Sequence, residues 1–136
     1  MPQRAIHESA HAVIARLLLR VTPDRTIYRA PPRTAPECYR AALVTLSGPA
    51  AEDRFCCYTR DQRAALWCGT VWQTDLFNAM HHLDAAGGGA MAPVKRAAER
   101  LVRAHWDAIE RVAAALSERG ELSGGEVDAL ILPPYG

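Results

Sequence analysis

Residues 5–20, AIHESAHAVIARLLLR, have the apolar spacing of an amphipathic helix and carry a distinctive polar pattern. The large apolar residues that recur at helical spacing are Ile6, Val13, Ile14, Leu17 and Leu18. This periodicity predicts a helix over residues 4–19 with one face in a protein core. On the same predicted helix, His7, Glu8 and His11 form the pattern H-E-x-x-H.

That pattern predicts a hydrolytic zinc site. His7 and His11 lie one helical turn apart on one face, so one ring nitrogen of each can bind a common ion at about 2.0 Å. Glu8 lies about 100° around the helix, where it flanks the ion and can act as the general base for a metal-activated water. The alternative is an ordinary polar helix face, stabilised by an i,i+4 contact.

Two histidines leave a catalytic zinc ion one protein ligand short. The downstream residues of suitable type are Asp75, His81, His82, Cys56, Cys57 and Cys68. Spacing in the sequence alone does not choose between them.

The rest of the chain is predicted to be mostly helical. Further helices are expected over residues 39–55, 60–83 (in two pieces), 93–119 and 122–131, with Gly48-Pro49 bending or splitting the first of these. Residues 26–29 can form a short strand, and the proline-rich residues 30–37 are predicted to be a loop or an edge strand. We therefore predict a mainly α fold in a single domain over residues 1–136, with at most a short β-hairpin or edge strand after the first helix.

Composition narrows the function classes. The chain has 136 residues, 49% apolar and 23% charged, as in soluble globular proteins. Sixteen basic and fifteen acidic residues leave a net charge of +1, and the sequence shows no Lys/Arg run, so nucleic acid is not an expected partner.

No apolar stretch reaches the roughly 20 residues of a membrane span, and no secretory signal is recognisable. The four cysteines, which include Cys38, are interpreted as reduced thiols in a cytoplasmic protein.

Four signatures in order give the chain a family resemblance. HESAHAVIARLL is followed by SGPAAED (residues 47–53), QTDLFNAM (residues 73–80) and ALSERGELSGGEVDAL (residues 115–130). Together they resemble the peptidase domain of the FtsH family of zinc metalloproteases. The resemblance implies that His7, His11 and Asp75 bind Zn2+ and that Glu8 is the general base. It also implies a mainly helical domain that hydrolyses peptide bonds in unfolded proteins or peptides.

The chain departs from the family at several points. Ala10 stands where the family has Gly, Thr74 replaces an Asn, and the segment that supplies a substrate-binding strand is short and rich in proline. No phosphate-binding loop is found, so we expect a stand-alone peptidase domain, ATP-independent on its own, that cuts unfolded substrates or works with a separate ATPase partner. The family assembles as a hexameric ring, so the resemblance also allows a homo-oligomer of this chain. The alternative is a non-catalytic relative that keeps the metal structurally and acts as an interaction module; a metal-free helical module is the third reading.

Overall fold

Helices form most of the chain in the computed structural model, which describes residues 2–19, 34–68 and 72–131. These ranges hold seven helices and no strand: α1 (Pro2–Leu19), α2 (Ala35–Cys56), α3 (Arg60–Cys68), α4 (Gln73–Ala85), α5 (Met91–Ala104), α6 (Trp106–Arg119) and α7 (Gly124–Ile131). The predicted mainly α class is confirmed. The predicted strand at residues 26–29 lies outside the described residues.

Helix α1 is the central element of the fold. It packs along α2 on one side and along α6 on another, with α7 near its second half. Its buried residues are Ala5, Ile6, Ser9, Ala10, Val13, Ile14 and Ala15. Ile14 is fully buried, and burial of such a side chain contributes about 1.5–3 kcal/mol. Ala10 is also fully buried, so the helix contact accommodates its methyl group.

Helix α2 begins earlier than the sequence suggested and is not split. Thr34 is its N-cap and accepts a hydrogen bond from the Glu37 amide at 3.2 Å, so residues 35–37, predicted as loop or edge, are helical. A proline in the first turn suits this start, since its missing N–H would have no helical partner. The helix then continues through Gly48-Pro49 inside a buried run over residues 41–51. Packing on several sides offsets the hydrogen bond that Pro49 removes.

The predicted run over residues 93–119 is two helices. His105 (φ −113°, ψ 22°) separates α5 from α6. The two pieces pack on different neighbours, which a single straight helix could not do: α5 buries Val94 and Ala98 with residues of α2 and α4, whereas α6 buries Ile109 and Val112 with residues of α1. The break therefore follows from a change of packing partner.

The last helix is attached by local polar contacts. Ser123 and Glu126 form a capping box, in which each backbone amide donates to the other side chain at 3.1 Å. Arg16 of α1 forms an ion pair with Asp128 of α7. The predicted cap and short helix at residues 122–131 are thus confirmed. In the described ranges, no helix has both the length and the apolar character needed to cross a membrane.

Two apolar clusters form the core around α1 and α2. One joins α1 and its α2 contacts to α6 and α7, and the other joins α2 to α4 and α5. Because α2 contributes to both clusters, the first turn of α4 is held on the side of α2 that also faces α1. This arrangement decides which side chains meet the histidines of α1.

Candidate metal centre

His7, His11 and Asp75 come together between α1, α2 and the first turn of α4. One ligand atom from each lies within 4.8 Å of the other two. The Oδ2 atom of Asp75 is 2.7 Å from Nε2 of His7 and 3.4 Å from Nε2 of His11. The three side chains are only 13%, 12% and 22% exposed for His7, His11 and Asp75. The residues predicted from the sequence as metal ligands therefore converge on one point.

The second nitrogen of each imidazole is held by a hydrogen-bond acceptor. Nδ1 of His11 donates to the Val44 carbonyl at 2.9 Å, and Nδ1 of His7 lies 3.2 Å from Oε1 of Glu52. A carbonyl oxygen can only accept, so Nδ1 of His11 carries a proton. In the neutral ring Nε2 then presents its lone pair towards Asp75. Such partners orient metal-binding histidines and increase their basicity.

Glu52 connects this support to the helix that carries Asp75. Its Oε2 atom accepts hydrogen bonds from the indole N–H of Trp72 and from the Tyr58 hydroxyl, each at 3.1 Å. Trp72 is buried and immediately precedes α4. A hydrogen bond with Cys56, burial and the charge of Glu52 raise the pKa of Tyr58, so its hydroxyl remains a donor. Glu52 therefore ties His7 and the start of α4 to one point on α2.

Gly48 leaves the space into which the imidazole rings extend. A Cβ atom at this position would lie 2.7 Å from Nε2 of His7 and closer still to the His11 ring. Contacts under 3.0 Å are essentially never seen for real Cβ atoms. Glycine in a helix interior costs about 1 kcal/mol relative to alanine. The close approach of the α2 backbone to the two rings explains why a glycine is found here despite this cost.

The cluster attracts positive charge. Burial acts to raise the pKa of Asp75, but the hydrogen bonds and charges of His11 and His7 outweigh it and hold that pKa well below its usual range. Burial acts to lower the pKa of His11, whereas the hydrogen bond and charge of Asp75 raise it overall. The carboxylate thus stays ionised and favours a proton or a cation at the histidine nitrogens.

Glu8 lies at the edge of the cluster and is exposed. It directly follows His7 in α1, and its negative charge contributes to raising the pKa of His11. The side chain also lines a groove of about 620 Å³ between α1 and the turn that joins α6 to α7, where Leu116 and Leu122 provide apolar surface. Glu8 therefore borders this groove, whereas the candidate ligands His7, His11 and Asp75 do not line it.

The other third-ligand candidates lie elsewhere. His81 and His82 face each other on α4, with ring centroids 6.2 Å apart, and belong to no metal-binding group among the described residues. The cysteine candidates are also outside the cluster, and no disulfide joins any of the four cysteines, all of which are described. Of the types named from the sequence, the fold brings Asp75 alone to the pair of histidines.

The supporting groups were less visible in the sequence than the ligands. Gly48 and Glu52 lie within the SGPAAED signature, whereas Val44 and Tyr58 belong to none of the four signatures. Val44, Gly48 and Glu52 are spaced by four residues and share one stripe of α2, a signal that becomes readable only once α1 is known to pack there.

The donor set fits zinc. Two imidazoles and a carboxylate are a common protein set for catalytic zinc, and rings oriented through Nδ1 suit it further. Comparison of the chain with protein-family models, curated proteins and solved structures gives no match in any of the three. Support for a function therefore comes from the residues themselves and from their geometry.

Proposed function

We propose that the protein is a zinc-dependent endopeptidase, similar to the FtsH peptidase domain, that hydrolyses peptide bonds of unfolded proteins or peptides. The observation that carries the proposal is the convergence of His7, His11 and Asp75 beside Glu8. Three protein ligands leave a coordination position for water or a substrate carbonyl, as catalytic zinc sites require. Gly48 and Glu52, which contact the ligands, belong to another signature on which the resemblance depends.

The chain's own residues supply positioning and proton transfer. A bound zinc ion would polarise the substrate carbonyl and lower the pKa of a water molecule to about 7. Glu8 would act as the general base that takes up a proton from water and then as the acid that protonates the leaving amine. Glu52 and the Val44 carbonyl contact the Nδ1 atoms of the two imidazoles and would keep the rings oriented to hold such an ion.

The surroundings of Glu8 favour an unfolded substrate. The groove that Glu8 lines holds about 620 Å³, the size of a small-molecule pocket, and thus admits a short extended segment. Its walls combine apolar side chains such as Leu116 with the charged groups Arg4 and Glu121. Because His7, His11 and Asp75 do not line the groove, we assign it to the part of an extended substrate that lies beside Glu8.

Zinc content and a single isosteric substitution test the proposal. The wild-type protein is expected to contain about one zinc per chain and to cleave unfolded casein. Glu8→Gln should retain the zinc and lose cleavage by at least about a hundredfold, because general-base catalysis contributes that much or more. Glu118→Gln, on the exposed surface of α6, is the matched control and should behave as wild type.

Two results would contradict the proposal in different ways. If zinc binds but wild type and Glu8→Gln are equally inactive on varied unfolded peptides, the metal is structural and the protein is the non-catalytic relative. If no zinc binds to the wild-type protein, the cluster is an imidazole–carboxylate network without a metal, and the peptidase proposal fails completely.

A further inference from the structure

Arginine side chains from three helices line one surface groove beside α2. The groove holds about 460 Å³ and lies among α2, α3 and α5. The guanidinium groups that line it are Arg54, Arg63, Arg96, Arg100 and Arg103. They come from three separate stretches of the sequence, and no two of them are adjacent in the chain.

Among the residues that the structure describes, most of this positive charge has no counter-ion. Two carboxylates, Asp53 and Glu99, line the groove against five guanidinium groups, an excess of three positive charges. Asp53 is already held by Arg63 and by the Trp67 indole, each at 3.0 Å. In a chain whose net charge is only +1, this is a strong local concentration of positive charge.

Three of the arginines stand close together on α5. Arg96, Arg100 and Arg103 follow the spacing of four and three that places residues on one helix face. Among the described residues, no carboxylate lies within ion-pair distance of any of the three. Like charges at these spacings destabilise a helix by a few tenths of a kcal/mol per pair, and an anion bound between them would remove this repulsion.

We propose that this groove binds a compact multivalent oxyanion of the oligophosphate class. The guanidinium group presents N–H donors in a planar fork that matches phosphate oxygens in pairs, and several forks around one concavity suit an anion with several phosphate groups. The volume of about 460 Å³ lies in the range of small-ligand pockets. The proposal is independent of the metal centre and of peptidase activity.

A nucleic acid fits the same surface less well. Single strands are bound through aromatic platforms on which bases stack. Two aromatic rings near these arginines are already covered by cations: the Arg54 guanidinium lies 5.0 Å from the Trp106 ring centroid, and Nζ of Lys95 lies 4.4 Å from that of Trp67. A duplex needs a long basic stripe, whereas this positive charge is confined to one groove. A short acidic peptide remains the competing ligand, and it forms one arm of the test.

Isothermal titration of the full chain with inorganic tripolyphosphate at low ionic strength tests the site. We expect one-to-one binding that weakens as salt is added. Arg100→Ala and Arg103→Ala should each weaken binding about tenfold, since a charged hydrogen bond contributes a factor of this size. Arg40→Ala is the matched control, because it is exposed on α2 and is about 21 Å along the helix from Arg54. Salt screens the interaction between charges this far apart, so this variant should change the affinity for tripolyphosphate by less than about twofold.

The controls separate this site from other sources of signal. Any zinc chelation by tripolyphosphate affects all variants equally. The test therefore depends on the difference in tripolyphosphate affinity between Arg100→Ala and Arg40→Ala. All the substituted arginines are exposed, and equal thermal unfolding of the variants verifies their fold. Equal affinity for ATP and tripolyphosphate supports recognition of the phosphate chain alone, and tighter binding of ATP supports a nucleotide in the same groove.

Three outcomes would overturn the proposal. The first is no binding of tripolyphosphate by the wild-type protein at low ionic strength. The second is an equal loss of affinity in Arg40→Ala and Arg100→Ala, which would reduce the effect to net charge. The third is tighter binding of a glutamate-rich peptide than of tripolyphosphate, which would identify the groove as a docking surface for an acidic polypeptide.

Discussion

Gly48→Ala tests the close approach of α2 to the two imidazoles. The added Cβ atom would lie 2.7 Å from Nε2 of His7 and within 3 Å of the His11 ring. Alanine is favoured over glycine in a helix by up to about 1 kcal/mol. Overpacking of a well-packed site costs about 1–3 kcal/mol. The first term offsets only part of the second, so we expect the free energy of unfolding in EDTA to change by between about 0 and −2 kcal/mol.

Metal binding should respond much more strongly than stability does. The methyl group occupies the space into which both Nε2 atoms point, so the rings must move away from the position they share with Asp75. We expect the zinc affinity to fall at least about a hundredfold, beyond the 10- to 100-fold effect of losing a supporting residue. Competition with a chromophoric chelator measures this affinity, and thermal unfolding in EDTA measures stability.

Gly125→Ala in α7 is the matched control. A Cβ atom there meets no other atom within 4 Å, so the helical preference for alanine acts alone. This variant should unfold at a temperature about 3 °C higher and bind zinc as wild type does. If Gly48→Ala shows the same stabilisation and an unchanged zinc affinity, the glycine is not in contact with the rings and the described geometry is wrong.

Four further outcomes follow from the contacts of the cluster. Glu52→Gln should weaken zinc binding about 10- to 100-fold in the same chelator assay, while Glu110→Gln on the exposed face of α6 should not. Asp75→Asn should abolish stoichiometric zinc binding, as measured by metal analysis after dialysis, because it removes the anionic ligand. Asp53→Asn should lower the free energy of unfolding by about 1–3 kcal/mol in denaturant titrations but leave zinc affinity unchanged, since its partners lie outside the cluster. Zinc affinity should fall as the pH decreases through the pKa of His11, which is raised above 6.5, because protons then compete for the ring nitrogen; a pH-independent affinity would contradict this.

The helices themselves were largely predictable because their signals are local. Apolar periodicity located α1, and a short helix was correctly expected within residues 122–131. Errors arose where packing overrode a local signal. Pro49 reads as a helix break but lies inside α2, because buried contacts on both sides of it hold the helix together. The periodicity over residues 93–119 does not show that the packing partner changes at His105.

The sequence by itself determined which residue types could bind a metal and placed two of them, His7 and His11, one turn apart on one helix. Helical geometry is local, so that pairing needed no knowledge of the fold. Only the tertiary structure decided that Asp75 meets them, that the Val44 carbonyl and Glu52 hold the rings, and that Gly48 leaves them room. Those contacts join residues 33 to 68 positions apart for the three hydrogen-bonded pairs. Such separations are set by how helices pack, which residue spacing does not encode.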